Sequence, residues 1–212
     1  MRKRWAAAAL CVVATATACG NSSASPTAQV SAPPLHGAQF QSGNQSRPEF
    51  VLTDTAGHPY DFQRHTAGKL TLLYFGYTHC PDECPTSMAD VAQALREVPA
   101  SVSSKVTVVF ATTDPWRDTA TVLRAWLDKF HPPQPYVGLT GTPAEIAGAE
   151  TTMGMPISQR ETAPKSYGAG QYSVSHFAGV IVYGRDNRLA TIYPSGVAPG
   201  DIAADLQVLL KG

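Results

Sequence analysis

The sequence predicts an α/β fold: a central mixed sheet with helices on both faces and a hairpin at its N-terminal side. Three observations predict it. Continuous apolar runs at residues 69–76 and 106–111 have the length and β-branched or aromatic content of buried central strands. Segments with apolar residues at helical spacing alternate with them, the order expected of a partly parallel sheet. Short extended pairs joined by turns flank this alternation on both sides.

Taken in order, residues 50–54 and 57–61 read as a hairpin turning at Thr55-Ala56-Gly57. Residues 69–76 (Lys-Leu-Thr-Leu-Leu-Tyr-Phe-Gly) form the first buried strand. Pro85 suits a first helical position, and Met88, Val91, Ala92 and Leu95 recur on one helical face. Residues 106–111 are the second buried strand. Over 119–130, Val122, Leu123, Trp126, Leu127 and Phe130 mark an amphipathic helix. A short strand at 136–139 and a helix at 143–152 follow. Residues 177–183 and 189–193 flank the turn 184–188 as a second hairpin, and 202–210 is a closing amphipathic helix. An antiparallel hairpin at the edge of such a sheet gives a thioredoxin-like, three-layer arrangement.

The chain has 212 residues, 43% hydrophobic and 15% charged, enough to bury a real core. A formal net charge of zero gives nucleic acid no electrostatic footprint. The N-terminus is a separate design. Arg2, Lys3 and Arg4 precede an uncharged apolar stretch, and Ala16-Thr17-Ala18 precede Cys19. This is the pattern of a signal peptide, too short for a comfortable membrane span. Ala16-Thr17-Ala18-Cys19-Gly20 resembles a bacterial lipobox, with Ala16 where Leu or Val is usual. The resemblance implies that residues 1–18 are removed and Cys19 is lipidated. The loss of three cations then shifts the net charge to −3. Residues 19–46, rich in Ser, Ala, Pro, Gln and Gly, read as a flexible lipid-anchored tether, and 47–212 as the folded domain. The expected location is the extracytoplasmic face of the bacterial cell membrane.

This organisation sharpens the cysteine count. Cys11 falls in the removed segment and Cys19 takes the lipid, so Cys80 and Cys84 are the thiols of the domain. They lie in Tyr77-Thr78-His79-Cys80-Pro81-Asp82-Glu83-Cys84-Pro85, where the first buried strand passes into its helix, a usual place for a site in such sheets. Cys84, beside the helix start, is expected to have a lowered pKa. Three intervening residues allow either a disulfide or a shared metal. A metal needs a third ligand. His36 falls in the tether, His58 and His65 in polar segments, His131 after a helix, and His79 points away from Cys80. His176 differs: it opens the buried run 177–182, in a loop expected to face the first strand-to-helix turn. A structural role for it stands beside the ligand role. Asp114 and Asp118 read as caps of a turn and of the helix at Thr119, respectively. Met153 and Met155 read as packing rather than a thioether pair. Asp82 and Glu83 read as solvated.

Four ordered motifs carry a family resemblance. Residues 75–86, Thr113-Asp114-Pro115-Trp116-Arg117-Asp118-Thr119, Gly138-Leu139-Thr140-Gly141 and Tyr172-Ser173-Val174-Ser175-His176 are similar to signatures of the Sco/SenC copper chaperones. The family often has Asp where this chain has Ser175. The resemblance implies a thioredoxin-like fold and one copper held by Cys80, Cys84 and His176, with Asp114 near the copper loop as an orienting residue. Two thiolates independently favour Cu(I), and imidazole suits copper in either oxidation state, whereas zinc would need water as a fourth ligand. The implied role is that of a metallochaperone rather than an enzyme. It would deliver copper to the dinuclear centre of cytochrome c oxidase subunit II, as a monomer whose thiols are kept reduced by a thiol reductant protein. The alternative is a thiol-disulfide oxidoreductase using Cys80 to attack and Cys84 to resolve. A peroxidase on the same scaffold lacks its Pro-x-x-x-Thr-x-x-Cys environment.

Overall fold

Leu70–Gly76 is buried at every position, which is why its sequence is a continuous apolar run rather than an alternating one. The structure, a computed structural model, describes residues 34–38, 45–162 and 171–211. The signal segment 1–18, the lipidation candidate Cys19 and most of the expected tether lie outside the described residues.

The elements run in chain order as β1 (Val51–Asp54), β2 (Pro59–Asp61), α1 (Phe62–Thr66), β3 (Leu70–Gly76), α2 (Glu83–Glu97), α3 (Ala100–Ser103), β4 (Val106–Thr112) and α4 (Ala120–Asp128). They continue as β5 (Val137–Thr140), α5 (Pro143–Thr152), β6 (Gln159–Thr162), β7 (Tyr172–Ser175), β8 (Gly179–Tyr183), β9 (Leu189–Pro194) and α6 (Pro199–Lys211). A seven-stranded sheet has the order β2-β1-β5-β4-β3-β8-β9. Its centre is parallel, β3 with β4 and β4 with β5, and both outer pairs of strands are antiparallel hairpins. The N-terminal hairpin joins through β1 and β5, with Thr53 opposite Thr140.

Period-two alternation sends side chains of each central strand to opposite faces. Leu70, Leu72 and Tyr74 of β3 pack with Val91 and Leu95 of α2, Leu123 and Leu127 of α4, and Leu206 of α6. Leu73 and Phe75 pack on the other face with Phe62 of α1 and Ile146 of α5. The predicted three-layer, thioredoxin-like arrangement is therefore present.

Differences from the sequence expectation are local. The short helices α1 and α3 are additional, as is the separate β6–β7 sheet. Gln159–Thr162 is exposed at all four positions, so it carries no apolar alternation to announce a strand. Residues 34–38, assigned to the tether by composition, lie against the sheet edge: the Ala38 N–H donates to the Ile192 carbonyl at 2.8 Å. Gly37 makes this approach possible, since a Cβ there would fall 2.2 Å from Thr191 Oγ1. Arg47 is buried and donates to Thr66 Oγ1, Asn187 Oδ1 and the carbonyls of Lys69 and Gly184, tying the chain ahead of β1 to α1 and the β8–β9 turn.

Candidate metal centre

The site starts at Gly76, the last residue of β3. A Cβ at this position would lie 2.8 Å from Cys84 Sγ, so the absent side chain is the space the sulfur occupies. Residues 77–82 turn the chain into α2, whose second residue is Cys84. Cys84 is buried in the core beneath β3, while Cys80 is half-buried at the surface of the turn. Both are free thiols.

The helix N-terminus acts on a different sulfur from the one expected. The Cys84 N–H points to Cys80 Sγ at 3.4 Å. A hydrogen bond from Cys84, helped by His176 and by the N–H groups of Cys84 and Asp82, outweighs burial and brings the Cys80 thiol down to about 4. Cys84 moves the other way. Burial, together with its bond to Cys80, pushes its pKa up. The expectation of a lowered Cys84 pKa is thus corrected: its backbone N–H serves Cys80, and its own sulfur is removed from water.

His176 follows β7 and precedes β8. Its Nε2 lies 3.4 Å from Cys84 Sγ. Tyr77 and Tyr74 meet its ring edge-on, at centroid distances of 5.6 and 6.0 Å. Burial pulls the imidazole pKa down, but the hydrogen bond with Cys80 and the neighbouring charges of Cys80 and Glu83 raise it overall. The ligand atoms of Cys80, Cys84 and His176 all lie within 4.8 Å of one another. Trigonal donors on bonds of about 2.3 Å stand about 4 Å apart, so this triangle fits one soft metal ion with small adjustment. The site opens to solvent through a cavity of about 390 Å³ whose walls include Tyr77, Asp82, Glu83 and Val174.

The other candidates are placed as follows. His79 is turned outward, its Nδ1 3.0 Å from Thr78 Oγ1. Ser175, at the position where the family often has Asp, exchanges hydrogen bonds with the Gln159 backbone rather than with His176. Met153 and Met155 pack against the second core and line an apolar cavity with Phe177 and Ile192, which contains none of the three donors. Asp118 is not the cap of α4. Thr119 is, accepting from the Val122 N–H. Asp118 is instead buried and accepts from the Thr78 N–H at 2.9 Å, Thr78 Oγ1 at 2.6 Å and Thr112 Oγ1 at 2.7 Å. Asp114 is also buried. It touches neither sulfur nor His176, and pairs with Arg117 Nε and with Tyr172 Oη, the latter at 2.7 Å. Thr78, Arg117 and Tyr172 fell within the family signatures but were given no individual role from sequence, and Thr112 was not noted at all. The signal available was a charged run, 114–118, between two apolar elements.

The fold and site together define a thioredoxin-like protein with a thiolate–imidazole centre at its first strand-to-helix crossover. Residues 38–211 match the SCO1/SenC family, and the chain belongs to it. It is 34% identical to ScoI of Bradyrhizobium japonicum, whose structure has copper bound, with a TM-score of 0.65 over 78% of this chain and 99% of that one. It is 29% identical over 161 residues to a Stutzerimonas stutzeri protein named "Putative copper-binding protein", covering 76% of this chain and 71% of that protein. Mitochondrial relatives are matched over a smaller share: Protein SCO1 homolog 1 of Arabidopsis thaliana is 40% identical over 84 residues, 40% of this chain and 25% of that protein.

Proposed function

We propose that the protein is an extracytoplasmic copper chaperone. It binds one copper ion through Cys80, Cys84 and His176 and delivers it to the dinuclear copper centre of cytochrome c oxidase subunit II. The observation that carries this reading is the triangle of two sulfurs and one imidazole nitrogen within 4.8 Å. Copper bound to the 34%-identical ScoI supports the choice of metal, as does the softness of two thiolates. Family membership supports the delivery target. The cargo leaves by ligand exchange: a partner thiol or imidazole enters through the open cavity and replaces half-buried Cys80 first, and buried Cys84 later. Loading needs both thiols reduced, so copper binding is linked to their redox state and to a reductant protein. A signal peptide at 1–18 directs export and is removed, and a lipid on Cys19 with the segment that follows it holds the domain at the outer face of the bacterial membrane.

A second reading is favoured by one contrast: Cys80 is half-buried with its thiol pKa lowered to about 4, whereas Cys84 is buried with its pKa raised. In a thiol-disulfide oxidoreductase, Cys80 thiolate attacks a target disulfide and releases one target thiol. Cys84, losing its proton, then attacks Cys80 and releases the second, leaving a Cys80–Cys84 disulfide. His176 is not required for that chemistry.

The His176→Ala variant separates the two. The chaperone reading expects one Cu(I) per chain in the wild type, binding weakened at least about tenfold in the variant, and thiol exchange largely retained. Unchanged copper binding accompanied by strong thiol exchange contradicts it.

A further inference from the structure

Strands β6 and β7 form a two-stranded sheet of their own, with no ladder to the seven-stranded sheet. β7 leads directly into His176, so whatever fastens β7 also places the imidazole. Val174 is its buried apolar anchor. The polar fastening comes from the short segment 114–118. Arg117 donates from Nη1 to the Tyr172 carbonyl at 3.2 Å and lies 3.6 Å from the Tyr172 ring centre. Its Nε pairs with Asp114, which also accepts from Tyr172 Oη. Arg160 of β6 stacks on Trp116, 3.5 Å from the ring centre. The same segment ends in Asp118, which accepts from both the backbone and the hydroxyl of Thr78, two residues before Cys80. The Thr112 hydroxyl anchors Asp118 to the end of β4.

One loop thus grips both halves of the donor set. We infer that segment 114–118 is a brace fixing the separation of the thiol pair from the imidazole, in which Arg117 and Tyr172 position His176 and Asp118 positions the cysteine loop. This deepens the copper-site reading and rests on it for its consequence, while the brace itself is tested without metal. Asp114 and Asp118 are fully buried, and buried carboxylates hold their hydrogen-bond donors strongly. The planar guanidinium supplies what an ammonium does not: a fork to Asp114 and to a carbonyl, plus a face for Tyr172. Arg117 also lies 5.7 Å from the ring centre of Tyr77 in the cysteine loop, so the two grips separate by mutation at Tyr172 and at Asp118.

The test uses the reduced, full-length protein. Backbone ¹⁵N relaxation is measured without metal, and Cu(I) affinity by competition with a chromophoric chelator. In Tyr172→Phe, which removes one hydroxyl, the amides of 172–176 gain mobility while those of 77–84 do not, and Cu(I) affinity falls about tenfold. Arg117→Lys loosens 172–176 as well, and also reaches Tyr77 through the lost ring contact. Asp118→Asn gives the opposite pattern, loosening 77–84 alone, and Thr78→Val serves if that variant does not fold. Wild-type mobility at 172–176 in Tyr172→Phe, or equal loosening of both segments in every variant, overturns the brace. His176→Ala is the reference: wild-type Cu(I) affinity there sinks the copper-site reading, while the metal-free relaxation still decides the brace.

Discussion

Cys80 and Cys84 share a functional group but not a proton affinity. Cys80 receives the N–H groups at the start of α2, while Cys84 is packed beneath Tyr74 and Gly76. With its pKa lowered to about 4, Cys80 is thiolate throughout the neutral range, and Cys84, with its pKa raised, is a thiol there. Alkylation by iodoacetamide reads this directly, because the thiolate is the nucleophile. In the reduced, metal-free protein the rate at Cys80 is expected to stay nearly flat from about pH 5 to about pH 8 and to fall below about pH 4, with Cys84 far slower. An ordinary thiol would instead speed up about tenfold per pH unit across that range, and such a rise at Cys80 would contradict the assignment. Under the proposed chaperone role the same asymmetry would order copper release, since the ligand nearer solvent is the one an incoming group meets.

At the scale of elements, the end of β3 is shaped by a missing side chain. Gly76→Ala would put a methyl 2.7 Å from the Tyr74 ring and 2.8 Å from Cys84 Sγ. Overpacking of this kind costs about 1–3 kcal/mol, so the melting temperature should drop by roughly 2–10 °C, with weaker copper binding as Cys84 is displaced. A melting temperature equal to wild type would show that the core has room the structure does not assign to it. β3 and β4 were legible in the sequence because strands buried on both faces must be apolar throughout, and α4 because its apolar residues share one side. The cysteine pair was legible from its position between them. β6 was not, because an exposed strand of Gln, Arg, Glu and Thr has no core to encode. Asp118 was misread for a related reason. Asp and Thr are both good caps, and adjacency alone does not reveal that Thr119 takes the helix while Asp118 reaches 40 positions back to Thr78.

At the scale of the molecule, the domain gathers in chain that precedes its first strand. His36 lies at 2.8 Å from the buried Asp205 through Nδ1, and its backbone N–H donates to the same carboxylate. The hydrogen bond to Asp205, with the charges of Asp205 and Asp201, raises the imidazole pKa. A raised value in the folded state means that this contribution to stability is fully present below the ordinary value of 6.5 and is lost as pH rises through the folded value. The difference in melting temperature between wild type and His36→Ala should therefore be present at about pH 6 and shrink by about pH 9. A difference that grows with pH would contradict the contact. Composition pointed to a free tether here because Ser, Ala, Pro and Gly dominate it, whereas docking depends on one histidine and one close-approaching glycine. The whole arrangement, sheet, crossover thiols and nearby imidazole, supports the proposed mixed thiolate–imidazole copper site. The optical spectrum of the full-length protein after loading with one equivalent of Cu(II) tests that claim most directly. The account predicts a thiolate-to-Cu(II) charge-transfer band that is lost in Cys84→Ser and altered in His176→Ala. Weak ligand-field absorption alone in the wild type, unchanged by either substitution, would contradict it.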